Sequence, residues 1–150
     1  MGFFSNLLKQ IKKIYTYEDK LIAELKDDHQ KLFSLFNKIE KNIYKGNFEK
    51  VPEILKKFHY EYRLHIIYED NYFYTYMKSK YKNDEKILEF INLKQEEMKS
   101  ITNAISKFMN KYQSLQDLKT DSFKKELKKL GNALKSRVEF EEKELYTLYS

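Results

Sequence analysis

His65-Ile-Ile-Tyr-Glu69-Asp70-Asn-Tyr-Phe-Tyr-Thr-Tyr76 aligns without gaps on Arg137-Val-Glu-Phe-Glu141-Glu142-Lys-Glu-Leu-Tyr-Thr-Leu148, 72 residues further along the chain. A second match lies at an offset of 69: Asp27-Asp28-His29-Gln-Lys-Leu32 falls on Glu96-Glu97-Met98-Lys-Ser-Ile101. Phe36 and Ile39 then fall on Ile105 and Phe108. The second half therefore repeats the first, except that each histidine of the first copy is replaced, by Met98 or Arg137. A pseudo-twofold bundle of four helices would gather these positions in its middle.

Apolar residues around the repeat recur with helical spacing. The first bundle helix is expected after Thr16, where Thr16-Tyr-Glu-Asp19 resembles a capping box. It presents Leu21, Leu25, Leu32, Phe36, Ile39 and Ile43 inward and stops at Gly46. The second begins near Pro52 and shows Ile54, Phe58, Tyr62, Phe73 and Tyr76, with His65 and Glu69 filling the two missing steps. The third follows Asn83-Asp84-Glu85 and shows Ile87, Ile91, Ile101, Ile105, Phe108 and Tyr112. The fourth follows Thr120-Asp121-Ser122 and shows Leu127, Leu130, Leu134, Val138, Leu145 and Leu148. Gly131 inside it costs helix propensity and signals close helix approach or room for a small ligand.

Four helices of roughly 25 to 30 residues with short loops imply an all-α, up-down-up-down antiparallel four-helix bundle over residues 16–150. Residues 1–15 form a separate short amphipathic segment, with Phe4, Leu7, Leu8, Ile11 and Ile14 opposing Lys9, Lys12 and Lys13. Such a segment can lie on an anionic membrane or on a partner, but packing across one end of the bundle is expected here.

Composition narrows the function. There is no cysteine among the 150 residues, which removes disulfides, zinc fingers and thiol catalysis. No apolar run approaches the ~20 residues that span a bilayer, and the start lacks a secretory signal, so a cytoplasmic protein is expected. The net charge of +6 comes from lysines interspersed with acids along every helix, the pattern of a solvated face. Without a basic stripe or motif, no nucleic-acid partner is expected, and no motif names a protein partner. A Gly-rich phosphate loop and a Ser/His/Asp constellation are likewise missing.

The candidates for chemistry are the polar residues on the apolar faces. His29 lies between Leu25 and Leu32, His65 and Glu69 between Tyr62 and Phe73, Met98 between Ile91 and Ile101, and Arg137 and Glu141 between Leu134 and Leu145. Buried at one level, such groups are costly unless they satisfy one another. His65 and Glu69 are four residues apart and project from one face; His29 and Glu141 can close the sphere from neighbouring helices. Two imidazoles and two carboxylates suit Fe(II), Mn(II) or Zn(II). Alternatively, Arg137, Glu69, Glu141 and a protonated histidine form a metal-free buried network. His59 should point elsewhere. Lys94, one turn before Met98, pairs with a carboxylate or snorkels to the end of the core. Tyr62, Tyr68, Tyr72 and Tyr146 lie close enough to donate to the site, with packing as their default role.

Asp28-His29…Leu32, His65-x-x-x-Glu69-Asp70…Phe73 and Arg137-x-x-x-Glu141-Glu142…Leu145-Tyr146 together resemble the hemerythrin-like HHE cation-binding domain over nearly the whole chain. That family holds a carboxylate-bridged di-iron centre in a four-helix bundle and carries, senses or stores O2 and iron, or responds to nitric oxide. The resemblance implies that His29 and His65 bind one iron, with Glu69 and Glu141 as bridging carboxylates. The family's second iron takes histidines where this chain has Met98 and Arg137; a thioether is a poor ligand for iron and a guanidinium is none. Glu97 is the available substitute carboxylate, but its direction is unfavourable.

The leading expectation is a reduced, mononuclear site, most simply with iron, in which Arg137 stands where the second metal's charge would be. Reversible O2 carriage draws one electron from each of two irons. A one-iron site is therefore expected to sense or handle O2, nitric oxide, peroxide or iron. The rival is a metal-free helical interaction or signalling module with a buried Arg-Glu-His network. A third reading, an enzyme using one open-sphere iron, finds no substrate-pocket signature.

Overall fold

The computed structural model describes the backbone of residues 2–149 and the side chains of residues 20–149. Helix α1 (Gly2–Lys45) is followed by a 3-10 turn (Phe48–Lys50) and α2 (Val51–Tyr68), which continues through a π-helical turn (Glu69–Tyr74) into α3 (Thr75–Lys80). After α4 (Glu85–Lys111) and the short α5 (Leu115–Leu118), α6 (Asp121–Phe140) runs into a second π turn (Glu141–Leu145) and a 3-10 turn (Tyr146–Leu148). With α2 and α3 as one rod, four rods form the expected all-α bundle, and no strand occurs among the described residues. None of the described helices is long and apolar enough to cross a membrane.

Local chemistry sets most of the helix ends. Asp84 Oδ1 accepts from the Ile87 backbone N–H at 3.2 Å and Thr120 Oγ1 from that of Phe123 at 3.2 Å, so each caps its helix. Pro52 sits in the first turn of α2. Gly46, with φ of +77°, ends α1 in the left-handed region that side chains avoid. The expected helix start at Thr16 differs: α1 runs through it without a break to Gly2. Nothing between Gly2 and Thr16 breaks a helix, so a capping-box sequence alone does not start one. How residues 3–15 pack lies outside the described side chains.

Two apolar clusters fill the bundle. One gathers Phe36, Ile39, Phe58, Ile105, Phe108 and Phe123; the other gathers Leu25, Phe73, Met77, Ile91 and Leu145. Between them lie the buried polar and charged residues His29, His65, Glu69, Arg137 and Glu141.

The π turns correct one expected face. Tyr76, placed inward by an uninterrupted 3.6-residue period, is 43 % exposed, whereas Met77 is fully buried. A π turn inserts about one extra residue into the helix, shifting everything after it by one position.

Gly131 marks the close approach anticipated for it. A Cβ there would lie 2.6 Å from Phe36 Cε1 and 2.8 Å from Cζ, on a ring already packed against Phe58. Gly131→Ala gains about 1 kcal/mol of helix propensity but overpacks the ring at a cost of about 1–3 kcal/mol. A net loss of about 1 kcal/mol in urea unfolding is expected. An unchanged or raised midpoint would show that Phe36 yields into the small cavity beside it.

Candidate metal centre

His29 reaches the bundle centre from α1, His65 from α2, and Glu69 and Glu141 from the first residue of each π turn. These four are buried, and one ligand atom from each lies within 4.8 Å of all the others. His65 Nε2 is 3.0 Å from Glu69 Oε2, and His29 Nε2 is 3.3 Å from Glu141 Oε2. The outer nitrogen of His65, Nδ1, is 3.0 Å from Asp28 Oδ2, the carboxylate–imidazole pairing that turns the other nitrogen toward a metal. His29 Nδ1 faces Glu142 at 3.9 Å, too far for a hydrogen bond.

Arg137 fills the opposite pole. Its Nε donates to Glu141 Oε1 at 2.9 Å, and its Nη2 donates to the Tyr74 hydroxyl at 2.9 Å and to the Lys94 carbonyl at 3.0 Å. Its Nη1 lies 3.5 Å from Glu97 Oε2. The guanidinium thus links Glu141 to Tyr74. Met98 is buried in the apolar wall. Glu97 is half-exposed, salt-bridged to Lys94 at 3.2 Å and on the outer side of Arg137, so it is not among the inward donors. Lys94 also lies over the Phe140 ring, 4.7 Å from its centroid.

The tyrosines divide. Tyr62 bonds to Thr102, the Tyr68 hydroxyl donates to Glu24, and Tyr72 is exposed. Tyr146 enters the centre. Its hydroxyl is 2.8 Å from Glu141 Oε2, 3.1 Å from Glu69 Oε2 and 3.4 Å from His29 Nε2. Tyr74, which the sequence reading did not single out, holds Arg137. The repeat carried the signal, since Tyr74 and Tyr146 occupy equivalent places in the two aligned segments.

Electrostatics separate the two carboxylates. Burial pushes Glu69 above the usual carboxylate range, and the neighbouring Glu141 charge adds to it, outweighing His65 and His29. Burial acts the same way on Glu141, but His29 and Arg137 overcome it and hold that carboxyl low. Burial pushes the Tyr146 phenol well up, and the two carboxylates push it further.

Residues 20–149 match the family model described as the hemerythrin HHE cation-binding domain. The chain belongs to the hemerythrin HHE family. Neither a curated protein nor a solved structure gives a match. For a hemerythrin HHE domain the donor set here is uneven. Around His29 and His65 the residues fit a metal: two Nε2 atoms, two carboxylates and a buried Glu69 Oε1 with no hydrogen-bond partner among the described residues. Around Arg137 and Met98 they do not fit a second one, because a fixed cation and a thioether stand there.

The centre predicts opposite pH trends for folding and for metal uptake. Burial alone would lower His65, but Glu69, Asp28 and Glu141 outweigh it and hold the imidazole up at about 9. A folded value above the unfolded one, about 6.5, means that protonation stabilises the metal-free fold fully below pH 6.5. That contribution is lost as pH rises through about 9. Metal-free protein should lose about 2 kcal/mol in urea unfolding between pH 7 and 10. Metal affinity should rise over the same interval, since a ligating imidazole must give up its inward proton.

Proposed function

We propose that this hemerythrin HHE domain binds a single metal ion, iron before manganese or zinc, through His29, His65, Glu69 and Glu141, with Arg137 replacing the second metal. One observation carries the reading: the Glu141 carboxylate is already divided, with Oε1 on Arg137 Nε at 2.9 Å and Oε2 facing His29 Nε2 at 3.3 Å. A carboxylate that would bridge two metals here bridges one metal position and one guanidinium. The single positive charge of Arg137 is permanent, so this pole of the centre keeps its charge whatever occupies the other.

The role that follows is sensing or handling O2, nitric oxide, peroxide or iron. Iron bound here would supply a one-electron couple and an open coordination position. The chain supplies the rest. A cavity of about 30 Å³, lined by His29, Phe36, Phe58, Met98 and Gly131, adjoins the centre. It has room for about two waters or a diatomic molecule. Asp28 orients His65, and the apolar wall keeps bulk water away.

A second reading has support from the same geometry. Arg137 and a protonated His65 against two carboxylates, with Tyr146 bridging both, is a self-contained polar network of the kind a metal-free interaction module would keep.

Anaerobic loading with Fe(II), desalting and metal analysis separate these. A ratio near one metal per chain is expected, with a rise in melting temperature that a chelator reverses. A ratio near two would restore a paired centre, and a ratio near zero in folded protein would leave the metal-free module. His65→Ala should abolish binding; full stoichiometry in that variant would sink the ligand assignment.

A further inference from the structure

We infer that Tyr146 is a fifth protein ligand of this centre, its phenolate oxygen binding iron in the ferric state. The inference rests on the one-metal reading above and adds to it a donor that neither the histidine–carboxylate pattern nor the family match assigns.

The first observation is position. Ligand atoms ~2.1 Å from an octahedral metal lie about 3 Å from their neighbours along each edge. The Tyr146 oxygen keeps that spacing from three of the inward atoms: 2.8 Å from Glu141 Oε2, 3.1 Å from Glu69 Oε2 and 3.4 Å from His29 Nε2. It stands among the donors rather than behind them. Asp28, by contrast, touches only the outer nitrogen of His65.

The second observation is how the chain brings it there. In an unbroken α-helix, a residue five places after Glu141 would point about 140° away from it. The π turn Glu141–Leu145 takes up one residue and returns Tyr146 to within about 40° of the Glu141 direction. The first π turn does the same for Tyr74 after Glu69. Each half thus delivers a buried phenol to the centre, one to the metal pole and one to the guanidinium pole. Packing fixes the ring of Tyr146: it stacks on His29 with an interplanar angle of 10° and meets Phe73 edge-on, and the residue is 3 % exposed.

The third is charge. Coordination breaks the phenol O–H bond, forms an O–Fe bond and releases the proton to solvent, with no change in oxidation state. A ferric ion carries one more positive charge than a ferrous one, and the phenolate carries one more negative charge than the phenol. The centre therefore keeps the same total charge in both states, with Arg137 constant. Buried sites penalise uncompensated charge, so Tyr146 offsets the cost of the ferric state.

The test is optical. Full-length protein is loaded with ferric nitrilotriacetate, desalted and assayed for iron. A phenolate-to-iron charge-transfer band in the visible is expected, with tyrosinate ring modes enhanced in resonance Raman spectra excited within it. Both should vanish in Tyr146→Phe. Both should persist in Tyr74→Phe and Tyr62→Phe, which remove the other buried phenols nearby; persistence there assigns the band to Tyr146 even should Tyr146→Phe fail to hold iron. Bound iron without the band overturns the inference and leaves the one-metal reading standing. So does a band that survives Tyr146→Phe or needs Tyr74. Absence of bound ferric iron overturns the inference alone; absence of metal after the Fe(II) loading above as well overturns the one-metal reading with it.

Discussion

The structure depends on a single divided carboxylate. Glu141 sits between a cation that is part of the chain and the two histidines of the centre, and it must serve both. His29 on one side and Arg137 on the other outweigh the burial of Glu141, which sits close to the second buried carboxylate, Glu69. With Arg137 in place, Glu141 stays low and Glu69 alone is raised. The asymmetry of the centre is thus electrostatic before it is a matter of missing histidines. The second half carries Arg137 where the first carries His65, which gives the centre one fixed positive pole.

The backbone is organised around the same layer. Both π turns begin at the inward glutamates, and each shifts the following residues by one position. Were α2 to run straight into α3, Met77 would leave the core and Tyr74 would lose Arg137. Were α6 unbroken, Tyr146 would turn away from Glu141. The irregularities are therefore how the fold pairs a glutamate with a tyrosine five residues on, which no uninterrupted helix can do on one face.

Much of this was legible in the sequence. The internal repeat, the apolar periodicity and the polar residues on inward stripes gave the bundle and brought His29, His65, Glu69, Glu141 and Arg137 to one level. Gly131 signalled its close approach. What escaped follows from physics that a fixed 3.6-residue period cannot express. Tyr76 was placed inward because the period takes no account of a π turn. Tyr74 was passed over for the same reason, although its alignment with Tyr146 pointed to it. The helix start at Thr16 failed because capping residues are tolerated within a helix when nothing upstream breaks it. That Arg137 donates to the Tyr74 hydroxyl and the Lys94 carbonyl follows from the three-dimensional arrangement and from no spacing in the sequence.

The polar layer also acts as a seam. It divides the bundle interior into two apolar halves, around Phe58 and Phe108 on one side and Phe73 and Leu145 on the other. Side-chain packing passes from one half to the other chiefly through five residues whose mutual attraction varies with protonation and occupancy. How tightly the seam is closed therefore bears on whether the two halves open together. Well joined, the halves open together; loosened, the half around Phe73 and Leu145 can open alone. A change of a single charge at the centre would then reach the surface as a difference in local unfolding, without any helix having moved.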